Sequence, residues 1–545
     1  MKKIFISFAT FVAASVLMSG CSNDESTATT TTDQLTAFTG GVVTEVPMER
    51  VQIGTSDSST VVPSITTRTS MNRSGIGVQG AFLWEPKDVI YVEDGNKKLC
   101  KGKSTITHAV ARTTFLVDGS YTGKSQYDVY YCGTNSGAGE KKVVIAKDQT
   151  QVAFNNTKHF GAAGDCGVAK AAKTTISGKS GYKFDLEHKA SYLCFLPYMA
   201  SKVQRANFRI QRIEITSNNN ISGTYGLTQA GLSNTGTNES KTITLHVGTD
   251  GLLLANQTAE TPNIDNSLYV VIAPGTHALK VKYTVSDAKN TVMTITKSYK
   301  SHNFGANKIC DIPVNLGVRH YSGHDYYMWD AAENYWSGHE WDSANPWQPT
   351  VKQATHDGYP KSKATDGARW RHEGSGAFEA SVNPLFNQLP NANEMAWYVR
   401  KGDAHWDNTT WWEVFGELHT NGIWLKKLSV IALENGKEPA ALKQADPHGK
   451  DIRMPGVSDD NKSISPTKGK PADSEIGNYF FLPALASYGF GSLSYFFGRF
   501  GQYWSSSANA NSQSDYHAFD LLFCDDFVTL VSHSGVYGFV AMPFE

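Results

Sequence analysis

Between positions 46 and 318 the chain alternates short apolar runs with turn residues, and each run reads as a β-strand. The clearest are Tyr127–Cys132, Lys142–Ala146, Tyr182–Leu196, Arg209–Thr216, Lys241–Val247, Ser267–Ala273, His277–Val285 and Val292–Tyr299, bounded by Gly, Asn or Asp. No apolar stripe of helical period runs beyond two turns here. Regularly spaced short strands predict β-sandwiches, and the length allows two, over 46–190 and 191–318.

The pattern changes after Asp311–Leu316. Of the 12 tryptophans only Trp84 precedes position 320. Asn393–Val399 predicts a helix. Thr410-Trp411-Trp412-Glu413 has capping-box spacing and predicts another, ended by Asn421-Gly422. Ile423–Leu433 reads as strand again, and short strands fill the remainder. The expected fold is therefore mainly β, two tandem sandwiches followed by an α+β unit over 319–545.

The start of the chain reads differently. Lys2-Lys3 precedes an apolar run, Ile4–Met18, that is too short to span a bilayer and ends in small residues. Leu17-Met18-Ser19-Gly20-Cys21 resembles a bacterial lipobox, which implies a signal peptide over 1–20 and an acylated Cys21. Attached acyl chains hold a precursor to a membrane at about 0.8 kcal/mol per buried methylene. Residues 21–45 are Thr-rich and polar and read as a tether. Asp24-Glu25 resembles the acidic signal that sends some lipoproteins to the outer face of the outer membrane.

Composition narrows the partners. With 50 Lys+Arg against 51 Asp+Glu there is no nucleic-acid footprint, and the 48 glycines, 24 tyrosines and 19% charged residues suit an extracellular β-rich protein. Cys100, Cys132, Cys166, Cys194, Cys310 and Cys524 are spread without any C-x-x-C, so a zinc site is not expected. Most read as buried, unpaired thiols, with pairing in an oxidising exterior left open.

Catalytic signatures are missing: there is no H-E-x-x-H, no G-x-S-x-G and no G-x-G-x-x-G before a helix. An enzyme is not expected. Gly119–Ser125 has its glycines one residue too close for a phosphate loop and reads as a turn. Asp403, His405, Asp407, Glu417 and His419 lie near one another without the spacing of a known metal site, and Asp525-Asp526 reads as a hairpin turn. No cofactor is expected, calcium being the one ion left open. The aromatic residues are the stronger chemistry. Exposed rings beside Asp, Asn and Glu hold sugars or protein partners, and Trp341, Trp347 and Trp406 are the candidate ligand-binding residues. Trp341–Trp347 leads, because Asn345-Pro346 and Ser343 mark a loop.

Residues 46–318 resemble the fimbrillins, the lipoprotein pilins of the Bacteroidota. The residues that carry this are Ile65–Ser70, Phe82–Val92, Tyr182–Ala190, Tyr269–Pro274 and Phe304–Lys308, in this order behind the lipobox. The resemblance implies two transthyretin-like sandwiches and a first strand that a trypsin-like protease removes. Its removal opens a groove for a strand from the next pilin subunit. Val42–Ile53 or its neighbourhood is the candidate donor strand. Arg50 and Arg68 are the expected cut sites, with Arg73 third. Residues 321–545 resemble the Fibrobacter succinogenes major paralogous domain, implying a C-type-lectin-like fold. The match runs through Tyr327–Ala331, Pro390–Tyr398, Lys401–Asp407, Arg453–Pro455, Tyr503–Ser507 and Gly538–Val540. Leu389 and Met542 depart from that pattern, the first where relatives often carry Cys and the second where Arg is usual.

Together these features predict a pilus tip subunit displaying a lectin-like adhesin for a host or microbial glycan or protein. The 227 residues beyond position 318 argue for tip rather than stem. The alternative is a surface glycan-binding lipoprotein that keeps its lipid and never polymerises.

Overall fold

The computed structural model describes residues 35–41, 70–78, 80–135, 141–254, 261–351, 355–373, 379–458, 463–512 and 517–545. Cys21, Arg50, Arg68 and the stretch Val42–Ile53 lie outside them. The described chain is mainly β, as its alternating pattern predicts. The expected strands appear with ends shifted by a residue or two, and Tyr182–Leu196 resolves into Lys179–Asp185, Glu187–His188 and Ser191–Tyr198.

The first sheet runs through Lys179–Asp185, Thr36–Gly41, Thr113–Val117, Leu99–Lys103, Val89–Glu93, Gln126–Tyr131 and Gly167–Ile176. Gly167–Ile176 then pairs back onto Lys179–Asp185, so the path closes into a ring. Closure leaves no edge within it. Its interior is aromatic: Phe38, Trp84, Phe115, Tyr131, Tyr182 and Phe184 are all buried there. Trp84 meets the edges of Phe115 and Tyr131 at centroid distances of 4.9 and 5.6 Å.

A second core forms around Ser191–Tyr198, in which seven of eight residues are buried. This strand lies antiparallel to Leu268–Ile272 and parallel to Ile309–Asn315. Facing it is a sheet of Val292–Phe304, Gly275–Ser286, Arg209–Ser217, Thr242–Val247 and Asp148–Gln151.

Chain order and packing part company here. Lys142–Ile145 and Asp148–Gln151, on the N-terminal side of the expected 190/191 division, pair with Ser222–Thr228 and Thr242–Val247 beyond it. Met71, Phe82 and Phe160 join the same core. Alternation marks a segment as strand but carries no information on which sheet receives it.

Side chains stitch these crossings. Gln149 accepts from the Val271 N–H at 2.9 Å and donates to the Val271 carbonyl at 2.7 Å. Gln151 accepts from the Tyr269 N–H at 2.7 Å and donates to the Ser267 carbonyl at 2.9 Å. Two buried amides thus satisfy the free edge of Leu268–Ile272 as a neighbouring strand would. Arg73 is tied just as firmly. It donates two hydrogen bonds to Asp311, at 2.7 and 2.8 Å, and a third to the Val78 carbonyl. With its side chain fully buried, Arg73 is corrected from a third protease site to a structural residue, because no protease can reach that guanidinium.

The C-terminal unit holds one sheet of Tyr326–Tyr327, Phe539–Val540, Phe500–Ala508, His517–Cys524 and Val528–Ser534. A second sheet holds Thr467–Lys468, His405–Asp407, Gly422–Lys426 and Tyr479–Pro483. The expected helix spans Ala392–Lys401, with a capping box between Asn391 and Glu394. The helix expected from Thr410 is instead a hairpin, Trp412–Val414 with Glu417–His419. Glu413 is buried under His320 at 2.6 Å and accepts the Gly416 N–H, so its carboxylate is unavailable to cap anything. Likewise Ile423–Leu433 is strand only to Lys426, and Leu428–Glu434 is helix.

This hairpin joins the C-terminal unit to the second core. Leu418 is buried in that core and its N–H donates to Asp287 at 2.8 Å. Lys289 meets Glu417 at 3.5 Å beside it.

Arg73→Met leaves the Asp311 carboxylate buried without its partner and is expected to cost about 3–5 kcal/mol. Adding Asp311→Leu should recover much of that loss, measured as the shift in denaturant midpoint across the three proteins.

Candidate functional site

Two places in the fold could meet a partner. The first is the strand Thr36–Gly41, which lies antiparallel to Thr113–Val117 and parallel to Lys179–Asp185. It fills the position between two strands that would otherwise both be edges. Phe38 anchors it: fully buried, the ring stacks on Tyr182 at 4.9 Å and meets the edge of Tyr121 at 4.9 Å. Gly40 lies on the same inward face, where an added Cβ would fall 2.6 Å from the Phe184 ring. Thr36–Gly41 precedes Val42–Ile53 and lies within residues 21–45, which the sequence marks as a tether; its pairing on both sides and the burial of Phe38 make this part of it a strand instead.

The second place is in the C-terminal unit, where the expected tryptophans are half-buried (Trp341, Trp347) or buried (Trp406). Trp347 is stacked between His339 at 3.3 Å and His356 at 5.1 Å, so both ring faces are covered. Trp406 is buried in the strand His405–Asp407. Trp341 is half-buried, and its indole N–H donates to the Ser322 carbonyl at 2.8 Å. Sequence marks these rings as aromatic and clustered, but the core of a unit with short strands takes up their faces.

Among the described residues of this unit the exposed aromatics are Phe490, Tyr495 and Phe496, in and after the tight hairpin of Tyr488–Gly489 with Ser492–Leu493. Beside them lies a cavity of about 360 Å³ lined by Ser487, Ser494, Tyr495, Gln502, His533 and Tyr537. His533 also lines a neighbouring cavity of about 330 Å³ with Ser458, Asn509, Asn511 and Ser532. The available signal was the run Tyr488–Phe497, aromatic residues set among Gly and Ser where a turn must expose them.

His533 is held by the strand Val528–Ser534, with Nδ1 2.8 Å from a carboxylate oxygen of Asp520 on His517–Cys524. Asp520 is fully buried, and this hydrogen bond raises the His533 imidazole above its ordinary 6.5 against the opposing effect of burial. His517 also bears on Asp520.

A cavity of about 540 Å³ lies elsewhere, in the second unit, lined by Asn219, Asn220, Ser233, Asn234, Glu239 and Thr276 among others. It is a gap between turns. Its one aromatic, Tyr225, is buried with its hydroxyl donated to the Ser222 carbonyl.

Other sequence candidates have structural partners. Asp407 accepts from Thr409, Thr410 and Trp424. Asp525-Asp526 lie in the turn between His517–Cys524 and Val528–Ser534. Among the described residues no group of three or more His, Cys, Asp or Glu could hold a metal ion. None of the six described cysteines is in a disulfide; Cys524 is half-buried and the rest are buried.

No family model matches the chain, and no curated protein matches it. Solved structures that resemble it include a candidate cell adhesion protein from Bacteroides ovatus, 14% identical, with a TM-score of 0.28 over 43% of this chain and 84% of that one. Another candidate cell adhesion protein, from Bacteroides eggerthii, is 13% identical, with a TM-score of 0.26 over 52% of this chain and 86% of that one. A fimbrial protein from Bacteroides ovatus is 9% identical, with a TM-score of 0.24 over 84% of this chain and 93% of that one. Overlap at these scores establishes no shared overall fold.

Burial raises the Asp520 carboxyl, so the pair acts only while Asp520 is ionised; in that range it is expected to contribute its full stabilisation below about pH 6.5, where His533 is protonated whether folded or not. The contribution is lost as pH rises through the higher folded value. The Tm difference between the natural protein and His533→Gln should therefore be smaller at alkaline pH than near about pH 6.5.

Proposed function

We propose that the protein is a surface adhesin, the tip subunit of a pilus, assembled when proteolysis frees its first strand. The observation that carries this is Thr36–Gly41, a strand seated between two would-be edges and followed by the stretch that bears Arg50 and Arg68. Cutting at either arginine severs the strand from the ring it completes. It then stays only by its hydrogen bonds and Phe38, and no longer benefits from the high effective concentration of a covalent link. Its departure exposes two rows of backbone donors and acceptors over an aromatic trough, which a strand from another pilin subunit can complete.

The geometry limits which strand fits. An aromatic ring must reach the place of Phe38, and two residues later a small residue must pass the Phe184 ring as Gly40 does. On this reading Cys21 is lipidated in an exported precursor at the outer membrane, and the lipid leaves with the cleaved strand. The C-terminal unit, joined through Leu418 and Asp287, is displayed outward as the lectin-like ligand-binding part. Capture is non-covalent, through ring faces and polar side chains, so no catalytic residue or cofactor is invoked. In the alternative reading the ring is already complete with its own strand, so the protein works as a monomeric surface lipoprotein.

Limited digestion of the full chain with a trypsin-like protease should give a new N-terminus after Arg50 or Arg68 and release the segment containing Thr36–Gly41. A synthetic peptide of residues 35–41 should then bind the cleaved protein, and the Phe38→Ala and Gly40→Val peptides should each bind at least about tenfold more weakly. A surface-isolated form that starts at Cys21 and gains no affinity for the peptide after cleavage supports the monomeric lipoprotein instead.

A further inference from the structure

Phe490 and Gly491 form a two-residue hairpin loop, with φ of +50° and +78° and Gly489 paired to Ser492. Turns with two positive φ values favour Asn-Gly or Asp-Gly, and a bulky aromatic residue there is an outlier. Gly491 has its own reason to be glycine, since an added Cβ would lie 2.3 Å from the His356 carbonyl oxygen. Phe490 has none of that kind.

The same chain provides a comparison. Phe415-Gly416 is also a two-residue Phe-Gly loop, with φ of +57° and +73° between the paired Val414 and Glu417. There the ring is buried, 5.7 Å from Trp341 and 5.9 Å from Phe497, so packing offsets the strained backbone. Phe490 instead remains 63% exposed, touching the edge of Tyr537 at 5.7 Å. Tyr495, close by in the chain and lining the adjoining cavity, is 75% exposed. Strain retained without compensating burial points to contact with something outside the chain.

The chemistry beside these rings restricts what that is. The described lining of the aromatic cavity holds no Asp, Glu, Lys or Arg, and the charge of its one ionisable base, His533, is answered by Asp520. Hydroxyls and amides supply the rest: Ser487, Ser494 and Gln502 on one side of His533, and Asn509, Asn511 and Ser532 on the other. Nothing there favours a charged ligand, and the amides of Asn509 and Asn511, bonded to Ser532 and the Val457 carbonyl, keep further donor and acceptor capacity for a polar one. A sugar offers both a C–H face for an aromatic ring and hydroxyls for amides. Two cavities of about 360 and 330 Å³ sharing His533 suit more than one sugar ring.

We propose that Phe490, Tyr495 and the two cavities meeting at His533 form a binding site for uncharged oligosaccharides. A sugar ring rests on the exposed aromatic faces, and its hydroxyls, with those of the next residue, bond to Gln502, Asn509 and the serines. The proposal rests on reading the C-terminal unit as the displayed ligand-binding part.

The full chain would be applied to an array of neutral and acidic glycans, alongside Tyr495→Ala and Phe490→Asn. Neutral oligosaccharides should bind, and each variant should weaken them by about tenfold or more. Phe490→Asn should at the same time keep or raise Tm, because Asn suits the turn that Phe strains. A residue kept for packing would show the opposite, a lower Tm with binding unchanged, and that result overturns the proposal. Binding confined to acidic glycans, or neutral binding indifferent to both variants, overturns it as well. Beads coated with the protein separate the two readings. Adherence to cells without any array binding refutes the sugar site and leaves the adhesin standing. Array binding without adherence does the reverse.

Discussion

The N-terminal ring depends on backbone pairing on both sides of one six-residue strand. Thr36–Gly41 contributes little apolar area beyond Phe38, yet it satisfies the facing edges of Thr113–Val117 and Lys179–Asp185 at once. Unpaired backbone groups beside an aromatic interior are costly, so the ring depends on a strand in this position. Glycines at 40 and 41 let the strand lie close. Gly40 passes the Phe184 ring and Gly41 lies against the Arg112 side chain, so the seat is shaped for a narrow segment with one large ring.

The rest of the N-terminal half works as one body because its connections ignore chain order. Met71 and Phe82 pack in the second core, and Arg73 ties their hairpin to Asp311, 238 positions away. Gln149 and Gln151 fasten Leu268–Ile272 from the side. A buried ion pair of this sort is weak evidence for net stability, but losing one partner is expensive, so it fixes how these segments meet. The hairpin ending in Leu418 extends the same logic to the C-terminal unit, where a buried apolar side chain and one backbone N–H set the joint.

The candidate site shows where sequence patterns stop being informative. The tryptophans are the conspicuous chemistry, but large rings contribute most when buried: Trp406 is buried, and Trp347 is half-buried and stacked with two histidines. Phe490 was legible only as part of a Gly- and Ser-rich run. Its significance lies in a positive φ and in exposure, and neither is written in residue type. Thr410–Glu413 failed for a related reason. Capping-box spacing is local, whereas Glu413 is claimed by His320, 93 positions away.

The sequence by itself determined that the chain is β-rich, where most strands fall, and that a capped helix begins at Asn391. Alternation, turn residues and caps act over a few positions, and so they can be read along the chain. It also places Arg50 and Arg68 after the first strand and Cys21 before it, which are matters of residue order rather than of packing. The tertiary structure alone decided that Thr36–Gly41 closes the ring, that Arg73 is buried, and that His533 meets Asp520 between two cavities. Those outcomes depend on which distant segments share a sheet or a core. A short strand pattern is compatible with many neighbours, and only packing and backbone pairing select one.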